Sequence, residues 1–313
     1  MEPYRIVGPL ERFDPSRSLF ARVRAAAGHG GAAPASHAGP GPDRLGRALH
    51  AGARAPDGLI RPQWRSRPFA AAPDRYDPAD PAEFTRRVKD AARFYGASLV
   101  GVARVNPLWL YAADGGAGVE GLSTAVVMAV EMDYDIIATS PSPAASAATA
   151  KGYSQMAFVA TCLAQYLCDL GFRAVPSGND IALTIPLAID AGLGEMGRNG
   201  SLITREYGPR VRLCKVFTDA ALIADEPVSF GARQVCATCN ECVLACPAGA
   251  IPAGEMTASG PSPSNNPGVL KWYCHPDKCL AFWQVNGTSC CNCIRSCPFN
   301  KPPGDEVLSP KEE

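Results

Sequence analysis

Stretches of clear hydrophobic period alternate along this chain with stretches that have none. Residues 81–97, PAEFTRRVKDAARFYGA, carry apolar side chains at Phe84, Val88, Ala91 and Ala92. That spacing lays one apolar stripe along a helix, which Pro81 opens and Gly96 closes. Residues 98–105 (SLVGVARV) and 124–132 (TAVVMAVEM) are short and rich in β-branched residues, and read as strands. A second long helix is predicted over 154–170 from Phe158, Cys162, Leu163 and Leu167, with Gly171 as its stop. A strand at 172–178, a short helix at 185–193 and strands at 201–208 and 211–222 follow. Strands alternating with helices predict an α/β layer domain over residues 79–228.

The flanks differ. Residues 1–24 form an ordinary, mildly apolar N-terminal segment. Residues 25–78 are rich in Ala, Gly, Pro and Arg with little period, and are expected to be loop, partly disordered, with a short helix near 45–53. Cysteines crowd residues 229–303, which read as a separate small module, and 304–313 is a tail. The apolar runs fall far short of the roughly 20 residues that a membrane-spanning helix needs. The chain opens MEPYRIVGPL, without a signal pattern or a twin-arginine motif, so a cytoplasmic location is expected and membrane association is not indicated.

Charge and cysteine usage narrow the chemistry. The formal net charge is zero, which gives no support for a nucleic-acid partner held by bulk charge. Thirteen cysteines are many for 313 residues, and most lie between Cys236 and Cys297 in C-x-x-C units. That crowding suits metal thiolates better than disulfides. CATCNECVLACPAGAI, residues 236–251, has the C-x2-C-x2-C-x3-C-P spacing of a bacterial ferredoxin. Its partner run contains Cys290, Cys293 and Cys297, again C-x2-C-x3-C-P, with Cys279 upstream. In two-cluster ferredoxins the cysteine before each proline crosses to the other cluster. Applied here, one [4Fe–4S] cluster takes Cys236, Cys239, Cys242 and Cys297, and the other takes Cys246, Cys279, Cys290 and Cys293. Cys291 competes with Cys290, and Cys274 with Cys279. A zinc site or a disulfide knot is the other reading; the two C-x-x-x-C-P endings argue against both. Cys162, Cys168 and Cys214 fit core or strand positions.

GLGEMG, residues 192–197, matches G-x-G-x-x-G, but a dinucleotide site needs a strand before the glycines and a helix after them. The residues before read helical and those after read as turn and strand. The glycines are expected instead to permit tight turns and a close approach of backbone to something flat or bulky.

Residues 185–222, IPLAIDAGLGEMGRNGSLITREYGPRVRLCKVFTDAAL, followed by the cysteine runs and FWQVNGTSCCNCIRSCPFNK, closely resemble the corrinoid- and iron–sulfur-dependent reductive dehalogenases. KGYSQMAFVATCLAQYLCDLGFRAVPSGND, GASLVGVARV and ERFDPSRSLFARV fit the same pattern. The resemblance implies an α+β or α/β fold, a nitroreductase-like core that holds a base-off corrinoid, with a C-terminal ferredoxin-like module carrying the two clusters. It implies reductive cleavage of a carbon–halogen bond in an organohalide, with electrons from reduced ferredoxin, flavodoxin or another donor. The four histidines include no D-x-H-x-x-G motif, which agrees with a base-off cofactor. By motif position Tyr153 is the proton donor, Arg212 (with Arg210 beside it) stabilises the charge left as the proton leaves, and Asn179 positions the tyrosine or substrate. Gly178, Gly192, Gly194 and Gly197 are candidates to line the corrinoid. Without the resemblance, Tyr153 reads as a core-facing helix residue, Asn179 as a turn residue and Arg212 as a strand-surface charge. Two other functions stay open: an epoxyqueuosine-reductase-like enzyme using the same cofactors, and an electron-transfer protein that has lost catalysis. Cofactor content separates the electron carrier from the enzymes. The chain is a short form without the twin-arginine signal of exported members, which leaves retention of dehalogenase activity open.

Overall fold

A computed structural model describes residues 4–26, 44–66, 69–112 and 118–302. The expected tail at 304–313 and residues 27–43 of the Ala/Gly/Pro-rich stretch lie outside the described residues. In chain order the first elements are β1 (Arg5–Ile6), α1 (Leu19–Ala26), α2 (Arg44–Ile60), α3 (Gln63–Ser66), α4 (Pro81–Phe94), β2 (Leu99–Arg104) and β3 (Thr124–Glu131). Then come α5 (Tyr134–Ala138), α6 (Pro143–Asp169), β4 (Ala174–Ser177), α7 (Thr184–Asp190), β5 (Glu195–Met196), β6 (Leu202–Ile203) and β7 (Val211–Thr218). The cysteine-rich region contributes α8 (Ala232–Thr238), α9 (Glu241–Leu244), β8 (Val269–Leu270), α10 (Pro276–Asn286) and α11 (Asn292–Arg295).

The central sheet has the order β2-β3-β7-β4, and every neighbouring pair is antiparallel. The expected layering of helices on strands is present, but not as parallel crossover units. Hydrophobic period reports which residues are buried and is blind to strand direction. One face of the sheet, with Val102, Met128, Cys214 and Val216, packs on α4 and α6 through Val88, Val159, Leu163 and Leu167. The other face, with Ala103, Val127 and Phe217, packs on α7 and Trp109. Burying each such Val, Leu or Phe contributes roughly 1.5–3 kcal/mol. Asp80 caps α4 through Ala82 N, and Ser142 caps α6 through Ala145 N, contacts worth about 1 kcal/mol each.

Three elements differ from the expectation. The long helix begins at Pro143 rather than at 154, because its first turns are Ala- and Ser-rich and bury small side chains that show no apolar stripe. The short helix expected near 45–53 is α2, which continues to Ile60 although Pro56 lies inside it. Proline disturbs the helical hydrogen bonds of its turn. Here Ser154 Oγ repairs them: it accepts from Asp57 N (3.2 Å) and donates to Ala53 O (2.7 Å), bridging one i to i−4 pair from outside. The strand expected at 201–208 is reduced to Leu202–Ile203. Thr204 Oγ1 accepts from Tyr207 N and donates to Gly208 O, so a side chain captures the backbone into a turn.

The cysteine-rich region is held on the core from two sides. β1 pairs with β8, Arg22 bridges to Asp277 (2.8 Å), and Tyr4 donates to Asp190 Oδ1 at the end of α7 (2.8 Å). On the other side Arg210, fully buried, donates to Glu131 Oε1 (2.5 Å), Asn300 Oδ1 (2.9 Å), Lys301 O (3.3 Å) and Met132 O. No helix among the described residues is long and apolar enough to cross a membrane.

Candidate functional site

The cysteines fall into two groups. Cys236 on α8, Cys239 just after it, Cys242 on α9 and Cys297 after α11 line one small void of about 20 Å³. Cys246 is not among its lining residues. Burial pushes the Cys242 thiol up to about 11 and that of Cys297 to about 12. In the second group burial, then Cys290 and Cys246, push Cys279 up to about 12, and burial followed by Cys291, Cys274, Cys279 and Cys290 raises Cys293. Cys246 Sγ accepts from Ala250 N and Cys290 Sγ from Asn292 N, both at 3.4 Å. Cys291 is placed differently. It is buried among Met132, Ile137, Ala148 and Ile294, with its sulfur 3.3 Å from Thr149 Oγ1. Cys274 donates to Arg198 O (3.7 Å). Among the described residues no three His, Cys, Asp or Glu side chains close on a point as they would around a single metal ion.

The GLGEMGRNG segment works between the core and this region. A Cβ on Gly192 would lie 2.6 Å from Glu226 O, one on Gly194 2.1 Å from Ile203 O, and one on Gly197 2.7 Å from the Ile203 side chain. Gly178 faces the Arg61 guanidinium. The close approach expected of these glycines is therefore to the chain itself, and none of the four lines the large cavity described below. The residues after Gly192 form the β5–β6 hairpin, not a helix. Between the glycines, the Glu195 carboxylate accepts from Phe230 N and Ala232 N at the start of α8, and Arg198 donates to Cys236 O and Ala237 O towards its end.

Tyr153 and Arg212 come together. The Arg212 guanidinium lies 5.1 Å from the centre of the Tyr153 ring, a cation–π distance. Gly152 makes room for it, since a Cβ there would sit 2.8 Å from Arg212 Cγ. Arg212 Nη2 donates to Thr149 Oγ1 (3.3 Å), and its buried Nε has no hydrogen-bond partner among the described residues. Arg210, the neighbour in sequence, belongs to the tether on Glu131 and Asn300 instead. Asn179 stands apart, exposed after β4, its Oδ1 accepting from Thr184 Oγ1 (3.3 Å). The register places Ser177 opposite Lys215, so Asn179 and Arg212 both lie beyond that pair, at the same end of the sheet. The tyrosine and arginine occupy the α6 face, whereas Asn179 borders a cavity on the α7 face.

That cavity measures about 470 Å³. Tyr4, Leu10 and Phe13 of the N-terminal segment, Trp109, Tyr111, Ile185, Pro186, Ile189 and Met196 of the core, and Trp272, Tyr273 and Cys274 of the cysteine-rich region form its walls. Asn179, Asn265, Asn266, Arg233 and Lys271 add polar groups, and no histidine lines it. Burial, with Asp180 nearby, pushes Tyr111 up to about 12, so its hydroxyl is a neutral donor. Sequence reasoning missed most of these residues because they come from three distant segments. Of the lining residues the sequence singles out only Asn179 and, as an alternative ligand, Cys274.

Beneath Asn179, Lys215 is fully buried and donates to Thr184 Oγ1 (2.8 Å), Ala182 O (3.4 Å) and Gly178 O. Burial above all lowers its ammonium from 10.5 to about 8. Between those values the unfolded chain binds the proton that the folded chain has released, so this lysine makes stability rise with pH. Lys215→Met is expected to remove up to about 3 kcal/mol of that rise. Denaturation of both proteins at about pH 7 and about pH 10 measures it. A wild-type-to-variant difference that is the same at both pH values would contradict it.

No family model matches the chain. A tetrachloroethene reductive dehalogenase from Dehalobacter restrictus is 38% identical over 267 residues, which cover 70% of this chain and 48% of that protein. The chain thus spans about half the length of the curated relatives it matches. The fold of the catabolic reductive dehalogenase NpRdhA, solved with 3-bromo-4-hydroxybenzoic acid, superposes with a TM-score of 0.75 at 22% identity, covering 96% of this chain and 43% of that one. A second reductive dehalogenase structure, described as suggesting a mechanism for B12-dependent dehalogenation, gives 0.74 at 23% identity, covering 96% and 44%. Over most of its length this chain is similar in sequence to reductive dehalogenases, and it has their fold.

Proposed function

We propose that the chain is the catalytic part of a reductive dehalogenase, an oxidoreductase that replaces a halogen of an organohalide by hydrogen. One observation carries this beyond the likeness to known proteins: Cys274, whose thiol is raised first by burial and then by Cys242, Cys279 and Cys246 nearby, stands in the wall of the large cavity. Electrons held by clusters in this module would have a short way to a group bound in the cavity.

The residues suit the implied cofactors. Four thiols around one void, with no three closing on a point, suit a cube better than a lone ion. Cys236, Cys239, Cys242 and Cys297 would hold one [4Fe–4S] cluster, and Cys246, Cys279, Cys290 and Cys293 the other, in a ferredoxin-type arrangement. The packing of Cys291 against Thr149 favours Cys290 as the ligand. Cys290→Ser is then expected to lower iron from about eight to about four atoms per chain, while Cys291→Ser keeps about eight. Iron analysis with the reverse result would exchange the two roles.

For a corrinoid, a broad macrocycle with amide arms, the cavity offers aromatic and aliphatic walls, three asparagines and no competing histidine. When bound, the corrinoid supplies the low-valent metal that reduces the carbon–halogen bond. The chain's own residues do the rest. The apolar walls would exclude water; at the end of the sheet where Asn179 and Arg212 both lie, Asn179 would position the substrate and Tyr153, beside Arg212, would give up the proton that replaces the halide. The Arg212 cation stabilises the charge left on the tyrosine oxygen. Reduced ferredoxin or flavodoxin is the proposed donor. The core is a nitroreductase-like scaffold in this reading. The test is anaerobic reconstitution with iron, sulfide and a cobalamin, followed by the absorption spectrum and halide release from a brominated phenol or a chlorinated ethene. A corrinoid that is not retained sinks the enzyme reading and leaves an electron carrier. A retained corrinoid without halide release leaves another corrinoid-dependent reduction.

A further inference from the structure

Arg198 is the one residue of the GLGEMGRNG segment whose charge is left unanswered. It is 2% exposed. Nε donates to Cys236 O (2.9 Å), Nη1 to Pro252 O and Gly254 O (2.9 Å each), and Nη2 to Ala237 O (3.1 Å). The guanidinium lies 4.7 Å from the centre of the Trp272 ring. None of these acceptors is a carboxylate, and Arg198 makes no ion pair among the described residues. A buried cation answered only by neutral carbonyls is costly unless a counter-charge is present. The same side chain lines the void shared by Cys236, Cys239, Cys242 and Cys297. Four thiolates around an iron–sulfur cube would supply that counter-charge.

We infer that Arg198 is the built-in counter-charge of the cluster held by Cys236, Cys239, Cys242 and Cys297, and that it makes this cluster easier to reduce than it would be without the charge. The inference rests on the cluster assignment proposed above. Adding an electron adds a negative charge beside the cation, so the reduced state gains more than the oxidised state. The carbonyl contacts fix the cation to the peptide that carries Cys236, so the distance between charge and cluster is set by backbone and not by a flexible side chain. Glu195, three residues before, holds the opposite end of the same helix through Phe230 N and Ala232 N, so its charge lies at the far end from the Arg198 contacts.

The test uses the full chain reconstituted anaerobically, with the midpoint of each cluster read by EPR-monitored redox titration in wild type, Arg198→Gln and Arg198→Lys. In the glutamine variant one of the two midpoints is expected to fall by at least the equivalent of a tenfold drop in the reduction equilibrium, about 59 mV for one electron, with the other unchanged. The lysine variant keeps the charge and is expected to stay near wild type. If the glutamine variant fails to hold the cluster while the lysine variant holds it, the need for charge is upheld. A fully loaded glutamine variant with unchanged midpoints overturns the inference, as does loss of the cluster from both variants, which would make Arg198 a clamp alone. A wild-type chain that binds no iron removes the cluster assignment itself, and iron analysis shows this before any variant is made.

Discussion

Tyr153→Phe is expected to lower kcat for organohalide reduction by about 10²–10⁴-fold, the range that a positioned general acid contributes. Iron and corrinoid contents should not change. The substitution removes one oxygen and keeps the ring, so the face that Arg212 covers at 5.1 Å remains. The helix around it is equally secure: Gly152 still lets the arginine lie against α6, and Arg212 still donates to Thr149. Substrate binding should therefore hold, and the loss should fall on kcat rather than KM. An unchanged kcat in a fully loaded variant would remove Tyr153 as the acid. The cavity-lining hydroxyls of Tyr4 and Tyr111 would then be the next candidates, since they border the space that Tyr153 does not line.

The second large effect is on stability. Arg210→Met is expected to cost about 3–5 kcal/mol: Glu131 is 31% exposed, but several acceptors lose their donor together, at about 1–3 kcal/mol for each buried one. Methionine fills much of the volume but offers no donor. Glu131 Oε1, Asn300 Oδ1 and the carbonyls of Met132 and Lys301 would all lose a hydrogen bond at once. Because Asn300 follows the second C-P ending, the loss should also loosen the segment that carries Cys297. Chemical denaturation of the reconstituted protein gives the free energy. A cost below about 1 kcal/mol, the scale of an exposed pair, would mean that the tether carries little.

Much of the core was legible because its signals are local. Asp80 and Pro81 open α4 and Gly96 closes it, and the β-branched runs of β2 and β3 need no partner to be recognised. The cysteine spacing was equally plain, since cluster ligands must recur at fixed intervals. What escaped depends on contacts between distant segments. The continuation of α2 past Pro56 is written in Ser154, on another helix. The large cavity draws walls from residue 4 to residue 276, and no window of sequence contains it. The glycines of GLGEMG were recognised as sites of close approach, but sequence cannot say what approaches. It is Ile203 and Glu226 of the same chain. Tyr153, Asn179 and Arg212 carried no signal of their own beyond a resemblance, because a lone tyrosine, asparagine or arginine has an ordinary reading in any helix, turn or strand.

The pairing of β1 with β8 has a consequence for the order of assembly. Ile6 lies opposite Val269, so β1 finds its partner only when most of the described chain has been made. Contacts so far apart in sequence form late, because the loop they close carries a large entropic cost. Tyr4, Leu10 and Phe13 ride on that strand and its extension, and they form one wall of the cavity. The cavity is therefore a trough before it is a chamber. Pairing of β1 with β8 closes that wall, so until it forms the cavity is open along one whole side.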